Sequence, residues 1–477
     1  MNQSSQGKKI HSFTNDIMGD LDATALAELI KSKSVSAEEI VQASINRAKA
    51  VNPNLNAIVT ETFDKGLQQS RNINDGFFAG VPTFIKDLTN VEGIKTFYGS
   101  DAFLNAPISK KTDPIAKQIF AQGFVHLGNS TLPEFGFTCS TEFPDSEDTK
   151  NPWNTAYSCG GSSGGAAALV ASGVVPIAHS ADGGGSTRIP AAACGLVGLK
   201  ASRGRLLCSE LFQQQIIDIA IDGVITRSVR DTARFYAEAE KYYKNPKLES
   251  IGMVEGPSKR TFKIGFTNDS LKGLKGDAPT EAVLLKTVKL LEEMGHEVKM
   301  VELTVPEQFV DDFVYLWEML AFYTKHMGKS IFGKHYDASK LTPFMHGLAK
   351  KHPKNMWRTP FFLYRLKKSY HDYAKMFVDM DVDLMLTPTL AHSTPKLGHL
   401  SMKLEFDEMF PRMTNWACYT PYANATGAPS ISLPMGEDPL NNMPIGMMLW
   451  ANHGKENLLF DIAYQLEEAN PWKKINA

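Results

Sequence analysis

The sequence predicts an α/β protein built on a mixed sheet, and three observations carry that expectation. Apolar segments of strand length (FKIGF, HEVKMVEL, VDLMLTP, PSISLPMG) alternate with stretches of helical spacing, and such alternation points to helices packed on a sheet. The composition is 43% hydrophobic and 21% charged, a globular balance. The 477 residues exceed the size at which one apolar core usually stops growing, so one large unit or two domains would both fit.

Taken in order, Asp22 opens a helical pattern (DATALAELIKSK), and Ser36 with Glu39 forms a capping box leading into EIVQASINRAKAV. Small residues dominate from Cys159 to Gly204. Here we expect a glycine loop, a short Ala-rich helix ended by Gly173, and a strand over Val174 to Ser180. A second glycine turn, a helix near Ile189 to Ala193 and a strand around Leu196 to Lys200 follow. Glycine at this density signals close backbone approach or positive φ, and a tightly turned buried core would explain it equally. Beyond Arg260 come the strand FKIGF, a helix from Thr280 to Met294 and the strand HEVKMVEL. Residues 306–380 are aromatic and helical in spacing, with Pro353 and Pro360 expected as breakers; VDLMLTP and PSISLPMG read as buried strands. A weak boundary falls near 300–320.

Charge and composition exclude several classes. A formal net charge of −2 argues against a nucleic-acid partner held by bulk electrostatics. Residues 1–20 lack the apolar centre of a secretory signal, and no run of about 18 apolar residues suggests a membrane span. Five cysteines, odd in number and without a CxxC pair, predict a reduced protein in the cytoplasm. There is no HExxH, and His392 with His399 lacks a third ligand at motif spacing, so no metal site is expected. The basic, aromatic stretch at 350–377 reads as a solvated helix face whose other side is packed rather than a membrane-surface element.

Two serine-bearing glycine clusters, GGSSGG and GGGSTR, place Ser162 and Ser186 24 positions apart. A serine hydroxyl needs a base before it attacks a carbonyl. His179 reads as a core or strand histidine. Lys86, after the apolar run Val81, Phe84 and Ile85, could serve if burial keeps it neutral. Local sequence alone favours a solvated Lys86/Asp87 pair at a strand end. Amides of Gly183, Gly184, Gly185 and Ser186 could converge on a developing oxyanion, although a glycine triplet also makes an ordinary turn.

The chain resembles the amidase signature family over nearly its whole length. The motifs that carry the resemblance are GVPTFIKD, GIKTFYGS, NPWN, GGSSGGAAALVASG, ADGGGSTRIPAAACGLVGLK, GAPSISLPMG and MPIGMMLWANHGKENLLFDIAYQLE. The form of the second cluster is most similar to bacterial amidases of the 6-aminohexanoate cyclic-dimer hydrolase type. The resemblance implies a mixed central sheet covered by helices on both faces, in one domain over 1–477, with a more variable, substrate-facing helical region at 306–380. It implies hydrolysis of linear or cyclic carboxylic amides through an acyl-enzyme, with no cofactor. By the same likeness Lys86 is the base, Ser162 the bridging serine within reach of Ser186, and Ser186 the nucleophile. The oxyanion amides fall on Gly183, Gly184, Gly185 and Ser186, and a cis peptide precedes Ser162. Asp182 and Arg188 shape the glycine turn, and Phe137 and Thr138 line the acyl pocket. The chain departs from the family pattern at Gly128-Asn129-Ser130-Thr131 and at Cys159, neither of which touches the triad.

Three other readings compete. GGSSG fits the G-x-S-x-G of an α/β-hydrolase esterase, but the preceding NPWNTAYSC is a polar loop rather than the required apolar strand. A glutaminase subunit of a tRNA-dependent amidotransferase would share the triad and need an Arg/Asp pair in its pocket. A non-catalytic binding protein would have lost a triad residue, and none is lost. The expected partner is a small amide; a homodimer is compatible with the sequence.

Overall fold

A computed structural model describes residues 7–476. Asp22 caps the helix Ala23–Lys31 by accepting from Ala25 N. The capping box closes as expected: Ser36 Oγ accepts from Glu39 N at 3.2 Å, and the Glu39 carboxylate accepts from Ser36 N at 2.8 Å.

Eight strands form the principal sheet. In spatial order they are Glu297–Met300, Lys263–Phe266, Leu384–Pro388, Pro444–Ala451, Ser430–Glu437, Val197–Lys200, Ile221–Thr226 and Ile177–Asp182. The first three run parallel and the remaining pairings are antiparallel, so the sheet is mixed. Alternation along the central strands feeds two cores. Met447, Leu449 and Ala451 pack with the helices Val229–Tyr242, Ala278–Glu293 and Glu456–Ala469 on one face. Met448 and Trp450 point to the other face, under the helices Phe309–Phe332 and Thr359–Asp379.

A smaller sheet positions the site. Its strands Ile58–Glu61, Val125–Ser130 and Pro82–Lys86 lie in that order, the last two parallel. The edge of Pro82–Lys86 meets Ile177–Asp182 of the large sheet. Thr83 Oγ1 donates to Ile177 O at 3.0 Å, and Lys86 N donates to His179 Nδ1 at 3.2 Å.

Four expectations shift. The strand after Gly173 begins at Ile177 rather than Val174. Gly173 turns left-handed (φ +82), Val174 N returns to Leu169 O, and Pro176 has no N–H, so pairing starts beyond it. HEVKMVEL contributes only Glu297–Met300. Pro353 does not break its helix; it sits in the last turn of Pro343–Asn355. Pro360 starts a helix, in the first turn of Thr359–Asp379, where its missing N–H costs nothing. That helix buries Phe362, Leu366, Tyr373 and Phe377 and leaves Phe361 and Tyr364 exposed. Among the described residues no helix is long and apolar enough to cross a membrane.

Candidate active site

Lys86 ends a strand whose five residues are all buried, and its own side chain is only 1% exposed. Asp87 is fully buried too and accepts from Asn129 Nδ2 (2.9 Å) and Phe97 N (2.9 Å). The solvated Lys86/Asp87 pair favoured by local sequence is therefore not what forms: the strand carries both residues inward, and they form no ion pair. Lys86 Nζ lies 2.8 Å from Ser162 Oγ, 2.9 Å from Ser163 Oγ and 3.3 Å from Ala181 O. Burial lowers its pKa to about 7, against the opposing pull of Asp182 and Asp222.

Ser162 and Ser163 sit on the loop that enters the helix Gly164–Ala171, whose Gly, Ala, Leu and Val residues are all buried. Small side chains let this helix approach the sheet closely enough to set both serines against the lysine. The Gly161–Ser162 peptide is cis. Ser186 stands on the tight turn between the strand Ile177–Asp182 and the helix Arg188–Cys194. Ser162 and Ser186 line the same cavity. The expected Ser162–Ser186 hydroxyl contact is absent among the described residues, and the two segments are tied instead by Ser163 N donating to Ser186 O at 3.2 Å.

Asp182 organises the Ser186 turn. Its carboxylate accepts from Gly185 N (2.7 Å), Thr187 N (3.1 Å) and the Arg188 guanidinium (2.9 Å twice). Asn424 Nδ2 adds a bond at 2.9 Å and also holds Asp182 O at 2.7 Å. Burial opposes ionisation of Asp182, yet the Arg188 charge and these donors hold the carboxyl well below its ordinary value. The arrangement amends one expectation. Gly185 N is committed to Asp182, which leaves the amides of Gly183, Gly184 and Ser186 without protein acceptors among the described residues. Gly185 instead supplies the conformation: its φ is +129, and a Cβ there would collide with the Thr420 hydroxyl.

Among the described residues His179 hydrogen-bonds to none of Ser162, Ser163 and Ser186. Its Nε2 pairs with Asp222 Oδ1 at 3.0 Å, and its Nδ1 accepts the Lys86 amide. It fixes the Lys86 backbone, as expected of a core histidine, and the Ser–His–Asp arrangement of an esterase is not assembled.

Two cavities meet at Ser186. The larger, about 350 Å3, is lined by Lys86, Ser162, Gly183, Gln214, Tyr323 and Met327 among others. The smaller, about 100 Å3, runs along Thr138, Ile189, Val310, Phe313 and Met413. Phe137 and Trp317 line both, packed edge to face with centroids 4.6 Å apart. Sequence reasoning missed Ser163, Asn424, Thr420 and Trp317. Ser163 could have been suspected from its place beside Ser162; the other three lie more than 120 residues from the glycine clusters, with no local signal.

An α/β scaffold that buries a lysine against two serines, beside a third serine on a glycine turn, defines a class of amide-hydrolysing enzymes. The chain belongs to the amidase signature family: the Amidase family profile matches residues 39–460. AmiC of Mycobacterium tuberculosis is 43% identical over 474 residues, with 98% of each chain covered. The 6-aminohexanoate-cyclic-dimer hydrolase of Pseudomonas sp. is 30% identical, covering 94% of this chain and 95% of its own. Among solved structures, a 6-aminohexanoate cyclic dimer hydrolase complexed with substrate aligns with TM-score 0.84 at 28% identity over 96% of this chain and 98% of that one. A bacterial aryl acylamidase aligns with TM-score 0.81 at 26% identity, over 95% and 97%.

Proposed function

We propose that the chain hydrolyses carboxylic amides through an acyl-enzyme on Ser186, with Ser162 as proton relay and Lys86 as base. The observation that carries this reading is Lys86 itself, buried, without a carboxylate partner among the described residues and 2.8 Å from Ser162 Oγ. Once the Ser186 hydroxyl rotates onto Ser162 Oγ, neutral Lys86 takes the Ser162 proton while Ser162 takes that of Ser186, and the freed oxygen bonds to the carbonyl carbon. The oxygen of that carbonyl gathers negative charge opposite the amides of Gly183, Gly184 and Ser186. Collapse breaks the carbon–nitrogen bond as Ser162 gives its proton to the amine and protonated Lys86 returns one to Ser162, leaving the lysine neutral again. Water then attacks the ester by the same route and regenerates Ser186.

The cavity walls favour an amide with apolar substituents, linear or cyclic. Among the described residues, no Asp or Glu lines either cavity, so the anionic partner a glutaminase needs for the ammonium of a free amino acid is not supplied. A panel of short aliphatic, aryl, cyclic and fatty amides with free glutamine, assayed on wild type and Ser186→Ala, tests the proposal. Turnover of apolar amides that vanishes in the variant is the expected result. Hydrolysis of glutamine alone, or only with an added partner protein, would replace this reading with the amidotransferase one.

A further inference from the structure

The two cavities differ in what they can accept, and the proton path says which part of the substrate enters each. The leaving nitrogen must receive its proton from Ser162, so it has to lie on the side where Ser162 and Lys86 open. Both line only the larger cavity. With the carbonyl oxygen turned to the amides of the glycine turn, the acyl substituent is directed away from Ser162. That direction is the narrower cavity, which shares Ser186, Gly136 and Phe137 with the larger one but has neither Lys86 nor Ser162 in its walls.

This narrower cavity is mostly apolar. Lys272 is its only charged lining residue among those described. Lys272 Nζ donates to Asn415 Oδ1 at 2.6 Å and to Thr414 Oγ1 at 3.2 Å, and Thr414 lines the same wall. Both partners are neutral, and the residue makes no ion pair among the described residues. Partial burial lowers the Lys272 pKa, which is what an ammonium without a compensating anion experiences.

We infer that the preferred acyl group is a slender apolar chain ending in an anion, which pairs with Lys272 in the wall of the narrow cavity, and that Lys272 is a specificity-determining residue. Half-amides of linear dicarboxylic acids are the simplest substrates of this class. The inference rests on the proposed catalytic role of Ser186 and adds to it the chemistry of the acyl end. A lysine is a flexible point charge, so it sets the sign of the terminal group more strictly than its geometry.

The test uses product acids, so the natural amide need not be identified first. Linear dicarboxylates from succinate to sebacate, their monomethyl esters and the matched monocarboxylates compete with fluorophosphonate labelling of Ser186. The same compounds are compared by their shift of the melting temperature. At the best chain length the dicarboxylate should protect at about tenfold lower concentration than its monomethyl ester, a modest gain because Lys272 is partly exposed. In Lys272→Met the ratio, normalised to that variant's own labelling rate without competitor, should fall to within about twofold, and high salt should have a similar effect. A ratio near one in wild type, or an unchanged ratio in Lys272→Met, overturns the inference and leaves the catalytic assignment standing. Labelling that misses Ser186 overturns the catalytic assignment instead, and the melting shifts then decide separately whether Lys272 reads the distal anion.

Discussion

Replacing Lys86 by arginine keeps a cation at the end of its strand but removes the capacity to give up a proton, because guanidinium stays charged at every working pH. The structure sets the size of the effect. Burial lowers Lys86 from 10.5 to about 7, which weights the neutral form by roughly 5 kcal/mol relative to a lysine in water. A base with that pKa is about one-tenth neutral at pH 6 and about nine-tenths neutral at pH 8. Under the proposed mechanism wild-type kcat/KM should therefore rise about tenfold between those values and level off above, as a property of the coupled relay rather than of Lys86 alone. Lys86→Arg and Lys86→Met should each lose about 10³-fold in kcat with little change in KM, and neither should retain the rise. Asp87 is also pushed to about 7 by burial and titrates in the same window. Asp87→Asn separates the two, since it should keep the pH dependence if Lys86 is the source. The stability counterpart has a defined sign: because the folded-state pKa is lowered, wild type should gain stability over Lys86→Met as pH rises from about 7 towards 10.5, by about 1.4 kcal/mol per unit. A flat wild-type rate profile from pH 6 to 8, or an active Lys86→Arg enzyme, would refute the reasoning.

Three further outcomes follow from the turn and the cavities. Asp182→Asn leaves the Arg188 charge buried without its partner and withdraws an acceptor from Gly185 and Thr187, so it should cost about 3–5 kcal/mol in urea unfolding and lower kcat as well. Gly185→Ala forces a Cβ against Thr420 at a φ that disfavours side chains; kcat should fall about 10²–10³-fold with the circular dichroism unchanged, whereas near-normal turnover would dissociate the turn from oxyanion binding. Trp317→Ala removes part of the wall common to both cavities, so kcat/KM for amides with bulky amines should rise relative to small ones; an unchanged ratio would argue against that wall as the sieve.

The parts of this molecule written in contiguous residues are legible from sequence. The capping box at Ser36, the Ala-rich helix after Ser162 and the strand–turn–helix around Ser186 each depend on spacing within a short window, and each forms. Lys86 is different. Its local sequence suggests solvent, and only the adjoining strand Ile177–Asp182, some 90 residues later, encloses it. The tie from Asn424 to Asp182 spans 242 residues and leaves no periodic trace in the sequence. The same holds for Lys272, whose position against the site is set by the packing of the helices Phe309–Phe332 and Phe406–Trp416 around one cavity. Gly185 shows how an amide can be misassigned. A run of glycines announces free N–H groups but not that a neighbouring carboxylate will claim one of them.

Mapping a fluorophosphonate adduct by peptide mass spectrometry tests the central claim most directly. The proposed mechanism predicts one adduct, on Ser186, absent in Ser186→Ala and formed far more slowly in Lys86→Met. An adduct on Ser162 or Ser163 in the wild-type protein would contradict it.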